Sequence, residues 1–128
     1  MKVSKGYISS FWASLGEGMV LPDEVKGLNL NNSSSIETLV NNYLLHEYKL
    51  LPLSIQIKTK ESLRYGINNW SGQELSELYN EILPQIIPPS NISIKEFYFK
   101  IWNLMFKNEN TQLLPQQYEE IPELDIFK

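Results

Sequence analysis

Few residues of this 128-residue chain could perform chemistry. His46 is the sole histidine, and no other side chain titrates near neutrality unperturbed, so a Ser-His-Asp relay or a His-based metal site would depend on it. It lies on the flank of an expected helix between Leu45 and Glu47, with no second ligand three or four residues on. That is the position of a boundary or surface residue. At about 100° per residue, Glu47 falls near the middle of the face made by Ile36, Val40 and Tyr43. A carboxylate there is either buried, with a raised pKa, or left in water because the helix ends before Pro52. No second carboxylate is placed to complete an acid/base pair.

Glu119, Glu120, Glu123 and Asp125 supply oxygens suited to a divalent cation, but they lack the Asp-x-Asp-x-Asp-Gly order that folds oxygens around calcium. Lys58, Lys60 and Arg64 form a small basic patch without a Gly-rich loop or interleaved aromatics, as on a solvated helix face. With no cysteine there is no disulfide framework, thiolate nucleophile or Cys-based metal site. P-loop, dinucleotide and zinc spacings are missing as well. The expectation is a protein that is not an enzyme and takes no cofactor or metal.

Apolar residues make up 42% and charged residues 20%, within the range of a globular domain that buries its own core. The net charge of −4 is uneven. Residues 1–70 hold seven basic and six acidic groups, and residues 71–128 hold four basic and nine acidic. Such an acidic half repels phosphate, so nucleic acid is not an expected partner, whereas a basic protein would be favoured. No apolar run approaches the roughly 18–20 residues that cross a bilayer, and "MKVSKGYISSFWASLGEG" is not patterned like a secretory signal. The expected location is cytoplasmic, with no membrane partner.

The elements that must carry any site read as an all-α fold, a compact bundle of four to five helices in a single domain, 1–128. Tyr7, Ile8, Phe11, Trp12 and Leu15 recur at helical spacing before Gly16. Residues 16–33 are irregular, with room for one turn at Asp23–Lys26, and are either mobile or a well-packed loop. A helix over about 35–50 begins at Ser34 or Ser35 and ends near Pro52. "LSIQIKTK" alternates like a strand, yet Leu63, Ile67 and Trp70 follow helical spacing. A helix over about 57–69 with a short extended entry is expected, the alternative being an α+β fold with a short strand near 53–58. Ser71-Gly-Gln-Glu74 and Ser93-Ile-Lys-Glu96 are capping boxes that open helices over 72–83 and 93–107. An acidic tail fills 108–128.

Two surfaces stand out. On helix 93–107, Ile94, Phe97, Tyr98, Ile101, Leu104 and Met105 make a core-facing side, while Phe99, Trp102 and Phe106 occupy a second sector. That second sector is covered either by this chain or by a partner, which could be another copy. Glu74, Glu77 and Glu81 line an outward stripe, and the tail mixes Glu119, Glu120, Glu123 and Asp125 with Tyr118, Ile121, Leu124 and Phe127. Aromatic anchors inside an acidic rim suit recognition of a basic protein; alternatively the tail wraps onto the bundle.

This acidic chain, with "SGQELSELYNEIL" and "QQYEEIPELDIF" as contact segments, resembles in general character the small immunity proteins that neutralise bacterial toxins, of the colicin and contact-dependent inhibition types. The resemblance implies a cytoplasmic, non-enzymatic inhibitor that binds and occludes a basic toxin domain, often a nuclease. The other class open to it is a structural or regulatory subunit that assembles through the aromatic helix face.

Overall fold

The structure, a computed structural model, describes residues 1–127. Five helices dominate it. Helix α1, Lys5–Trp12, runs on into a 3-10 turn at Ala13–Leu15. Helix α2 is one rod in three parts: Ser33–Leu39 is α-helical, Val40–Leu44 widens to a π turn, and Leu45–Lys49 resumes the α form. Helices α3 (Leu53–Asn69), α4 (Gly72–Asn80) and α5 (Ile94–Met105) follow. A two-strand parallel sheet joins β1, Lys2–Val3, to β2, Glu119–Glu120, and a 3-10 turn at Glu123–Phe127 ends the described chain. The fold is therefore a mostly helical bundle with a small sheet. Residues 53–58, the alternative strand segment, are helical.

Local chemistry explains most of the boundaries. Ser4 caps α1: its Oγ accepts from the Gly6 N–H at 3.1 Å, while its own N–H donates to Ser62 Oγ at 3.0 Å. One cap thus fixes the start of α1 and docks it on α3. The expected capping box of α4 is complete, with Glu74 N–H donating to Ser71 Oγ at 3.1 Å and Ser71 N–H to the Glu74 carboxylate at 3.3 Å. On α5 only half of the box forms. Glu96 N–H donates to Ser93 Oγ, and the Ser93 hydroxyl turns to the Glu96 carboxylate.

Other boundaries move. Helix α3 starts at Leu53, four residues before its expected start, because Pro52 at φ −55° presets the entry. Gln56 then ties that entry down by donating to the carbonyls of Lys49 and Leu51, while its own carbonyl accepts from Tyr48 Oη at 2.8 Å. Helix α4 ends at Asn80 and α5 at Met105, short of 83 and 107. Leu83, and Lys107 with Asn108, take positive φ, a left-handed backbone that stops a helix. The 16–33 segment is a packed loop, with Leu21, Val25 and Leu30 buried and hydrogen-bonded turns closed on Gly16, Pro22, Val25 and Asn29.

Trp12 lies at the centre of the core. Its indole stacks on Phe97 at 5.7 Å and meets the edges of Tyr79 and Tyr98 at 4.9 and 5.5 Å. Buried aromatics must also satisfy their polar tips. Trp12 Nε1–H donates to Tyr98 Oη at 2.9 Å, Tyr98 Oη–H donates to the Leu75 carbonyl at 2.7 Å, and Tyr79 Oη–H donates to the Ile86 carbonyl at 2.7 Å. Burial raises the pKa of both phenols, so they remain neutral donors. Tyr98→Phe leaves the buried Trp12 N–H without a partner and removes the second hydrogen bond to the Leu75 carbonyl. It is expected to cost about 1–3 kcal/mol in urea unfolding, with the helical circular-dichroism signal retained.

Candidate protein-interaction surface

The expected contact residues fall into three groups. On α4, Glu74 is half-buried and forms an ion pair with Lys5, whose hydrogen bond holds the Glu74 carboxyl below the usual carboxylate range. Glu74 therefore stitches α4 to α1. Glu77 and Glu81 are exposed; Glu77 accepts only a hydrogen bond from Gln73, and neither has an ion pair among the described residues.

The tail wraps back onto the bundle. Glu119 N–H donates to the Met1 carbonyl and Ile121 N–H to the Val3 carbonyl, and the Glu120 carboxylate accepts from Trp70 Nε1–H at 2.8 Å. Tyr118 Oη–H donates to Glu61 at 2.7 Å, with its ring against Tyr65. The Glu123 carbonyl approaches Gly6 so closely that a Cβ at Gly6 would lie 2.4 Å from it. Asp125 lines a small cleft with Lys2, Tyr7 and Lys58. Only Glu119 and Glu123 turn their carboxylates to solvent without an ion pair among the described residues.

The aromatic sector of α5 does not form one surface. Trp102 is fully buried, with the Arg64 guanidinium 4.9 Å above its ring and its Nε1–H donating to the Glu109 carbonyl. Phe106 is half-buried against Trp102 and Tyr48, with Lys60 Nζ 4.9 Å from its ring centre. Phe99 alone is exposed, at 45%, between Ile67 and the stems of Lys95 and Lys100. Of the two coverings open to this sector, this chain supplies the one over Trp102: the returning tail and Arg64 make it a core residue and not a partner contact.

Arg64 is equally far from a solvated patch. Only 2% exposed, it donates from Nε to Glu61 at 2.9 Å, from Nη1 to the carbonyls of Asn110 and Gln112 at 3.0 Å each, and from Nη2 to Glu109. Lys60 adds a 2.8 Å bond to Glu109, and Asn68 donates to the Thr111 carbonyl. The Glu61–Arg64 spacing of three was a legible signal that the pair could meet on one helix face.

A surface that local pattern did not reveal is assembled by two loops. Glu17 N–H donates to the Leu83 carbonyl at 2.8 Å, and Gln85 N–H to the Leu15 carbonyl at 2.9 Å. The Gln85 side-chain amide donates to the carbonyls of Gly16 and Met19 at 2.7 Å each. Gly16 is required at this crossing, since a Cβ there would lie 2.8 Å from the Ile82 carbonyl oxygen. The lacing sets side by side the two segments that carry Met19 and Val20, and Leu83 and Ile87, which are 47%, 88%, 62% and 80% exposed. Exposed Glu17 and Glu81 flank them, and Glu77 lies one turn before Glu81. This is an aliphatic platform beside an acidic helix end.

The residues considered for catalysis, neighbours on α2, share no hydrogen bond or ion pair among the described residues. His46 is exposed, and Glu47 is half-buried at the edge of a small cleft with Ser10, Phe11, Ser14, Tyr48 and Leu51. Burial, and then the Glu47 charge, raise the pKa of Tyr43. Among the described residues no group of three or more His, Cys, Asp or Glu side chains is arranged to hold a metal, and no helix is long and apolar enough to cross a membrane. Compared with known protein families, curated proteins and solved structures, the chain has no match.

Two outcomes test the Arg64 cluster. Arg64→Met leaves the buried Glu61 carboxylate without its cation, while Glu109 keeps Lys60, and is expected to cost about 3–5 kcal/mol in denaturant unfolding, part of it recovered by adding Glu61→Gln. The hydrogen bond from Lys60, and next that from Arg64, lower the pKa of Glu109 in the folded state. The resulting stabilisation is present above the unfolded pKa and is lost as pH falls through the lower folded value. The protection of the Glu109 and Gln112 amides against hydrogen exchange, taken relative to the intrinsic rate at each pH, is therefore expected to fall below the ordinary glutamate value of about 4.3, ahead of that of amides in α5.

Proposed function

We propose that this chain is a non-enzymatic protein-binding module, most concretely an immunity-type inhibitor that occludes a basic toxin domain in the cytoplasm. The observation that carries the reading is the juxtaposition of four exposed aliphatic side chains with Glu17, Glu77 and Glu81, none of which has an ion pair among the described residues. Exposed apolar patches with a polar rim mark interaction sites, and an acidic rim selects a basic partner. In such a complex the carboxylates speed encounter and the aliphatics, once desolvated, slow dissociation. Inhibition follows from covering the partner's surface, with no bond made or broken.

Glu119 and Glu123 of the tail are further exposed acids for the same partner. Glu74, Glu120, Trp102 and Tyr118 act one step back, holding α4 and the tail in place. The direct test is co-expression with the product of the neighbouring gene, where restored growth and a stoichiometric complex are expected. With that complex in hand, Glu77→Lys with Glu81→Lys should lower the association rate about tenfold or more at low salt and flatten its salt dependence. Unchanged association kinetics would remove the acidic surface from the mechanism.

A further inference from the structure

Beside the platform, a cleft of about 330 Å³ opens between the 27–31 and 85–90 loops. Gln85 and Ile87 belong to both features, so the cleft continues the surface described above. We propose that it is the anchor pocket of that surface and takes one tyrosine side chain from a basic segment of the partner. This rests on the basic-partner reading.

Three properties select a phenol. The first is an apolar share of the lining, in which Leu28, Ile87 and Pro88 join buried Leu30 and Ile86. An aromatic ring is the side chain that fills such a pocket at low entropic cost. The second is a preformed shape. Asn31 Oδ1 accepts from Ser90 N–H at 2.8 Å, Asn91 donates to the Asn31 carbonyl at 2.8 Å, and Asn29 Oδ1 accepts from Asn31 N–H at 3.0 Å. The two walls are therefore tied together before any ligand arrives, which lowers the ordering cost of binding.

The third is the sign of the unused hydrogen-bonding groups. With their Oδ1 atoms occupied, Asn29 and Asn31 keep side-chain N–H groups that donate no hydrogen bond among the described residues. Both residues are exposed, so these donors are hydrated in the free protein, and a side chain that displaces their water must bring an acceptor. A phenol oxygen accepts, whereas ammonium, guanidinium and indole N–H groups only donate. No carboxylate lines the cleft to hold a cation. Glu17 and Glu81 outside it take the basic residues that accompany the tyrosine, so charge goes to the rim and the ring to the pocket.

The test requires no partner. Amide chemical shifts of the full chain are followed during titration with N-acetyl-tyrosinamide, N-acetyl-phenylalaninamide and N-acetyl-argininamide. The tyrosine probe is expected to give saturable shifts confined to residues 27–31 and 85–90, in the millimolar range of so small a ligand, with phenylalanine severalfold weaker and arginine not saturating. Ile87→Ala, at a position 80% exposed and hence harmless to the fold, should weaken both aromatic probes. Asn29→Asp keeps the acceptor oxygen for Asn31 N–H but loses the donor, so it should abolish the preference for tyrosine over phenylalanine. Absence of saturable shifts in the cleft, equal binding of the arginine probe, or a tyrosine preference that survives Asn29→Asp would each overturn the pocket assignment. A failed pocket leaves the charge-reversal kinetics of Glu77 and Glu81 unaffected, so the two readings can fall separately.

Discussion

The rest of the molecule is organised around one buried cation. A guanidinium cannot shed its charge on burial, so Arg64 must be met by acceptors wherever the chain folds. Its own helix supplies one, Glu61, and the remaining acceptors come from segment 109–112, beyond the end of α5. This requirement pulls the chain back across α3, brings the Glu109 carbonyl to the Trp102 indole N–H, and brings Tyr118 to the same Glu61 oxygen that Arg64 Nε binds. A buried ion pair is a weak source of net stability, because desolvation offsets most of the attraction. Its effect here is selective: an alternative path for the tail would leave Arg64 with Glu61 alone to accept from it and its remaining N–H groups without protein partners.

The same constraint divides the acidic residues. Carboxylates that answer a cation or an indole N–H inside the fold, such as Glu61, Glu74, Glu109 and Glu120, are positioned by internal partners. Glu17, Glu77, Glu81, Glu119 and Glu123 have no such pairing among the described residues and contribute to the outward field. Net charge alone cannot make that distinction. Two neighbours three residues apart on one helix, Glu74 and Glu77, fall on opposite sides of it.

Features written in local pattern were legible in the sequence. The cap at Ser71, the helical face of Phe97, Ile101 and Met105, and the stop at Gly16 depend on residues a few positions apart. The early start of α3 was obscured because "LSIQIK" alternates by chance; Leu53 and Ile57 lie one turn apart on an exposed helix face. Trp102 and Arg64 could not be placed from their neighbours in sequence, since what covers them arrives from residues 109–112. The aliphatic platform and the cleft were illegible for the same reason. Each joins the segment after α1 or before α2 to the segment after α4, and only tertiary hydrogen bonds set them side by side.

The parallel pairing of Lys2–Val3 with Glu119–Glu120 imposes an order in time. During translation at roughly 5–20 residues per second, the second strand emerges on the order of ten seconds after the first. Throughout that interval the helices can collapse on Trp12 and its aromatic neighbours, but Arg64 has only Glu61 to answer it and remains hydrated. Segment 109–112, made well after α3, is therefore the one that dries the interior, and a chain stalled before residue 109 would hold a formed aromatic core beside a wet, open α3.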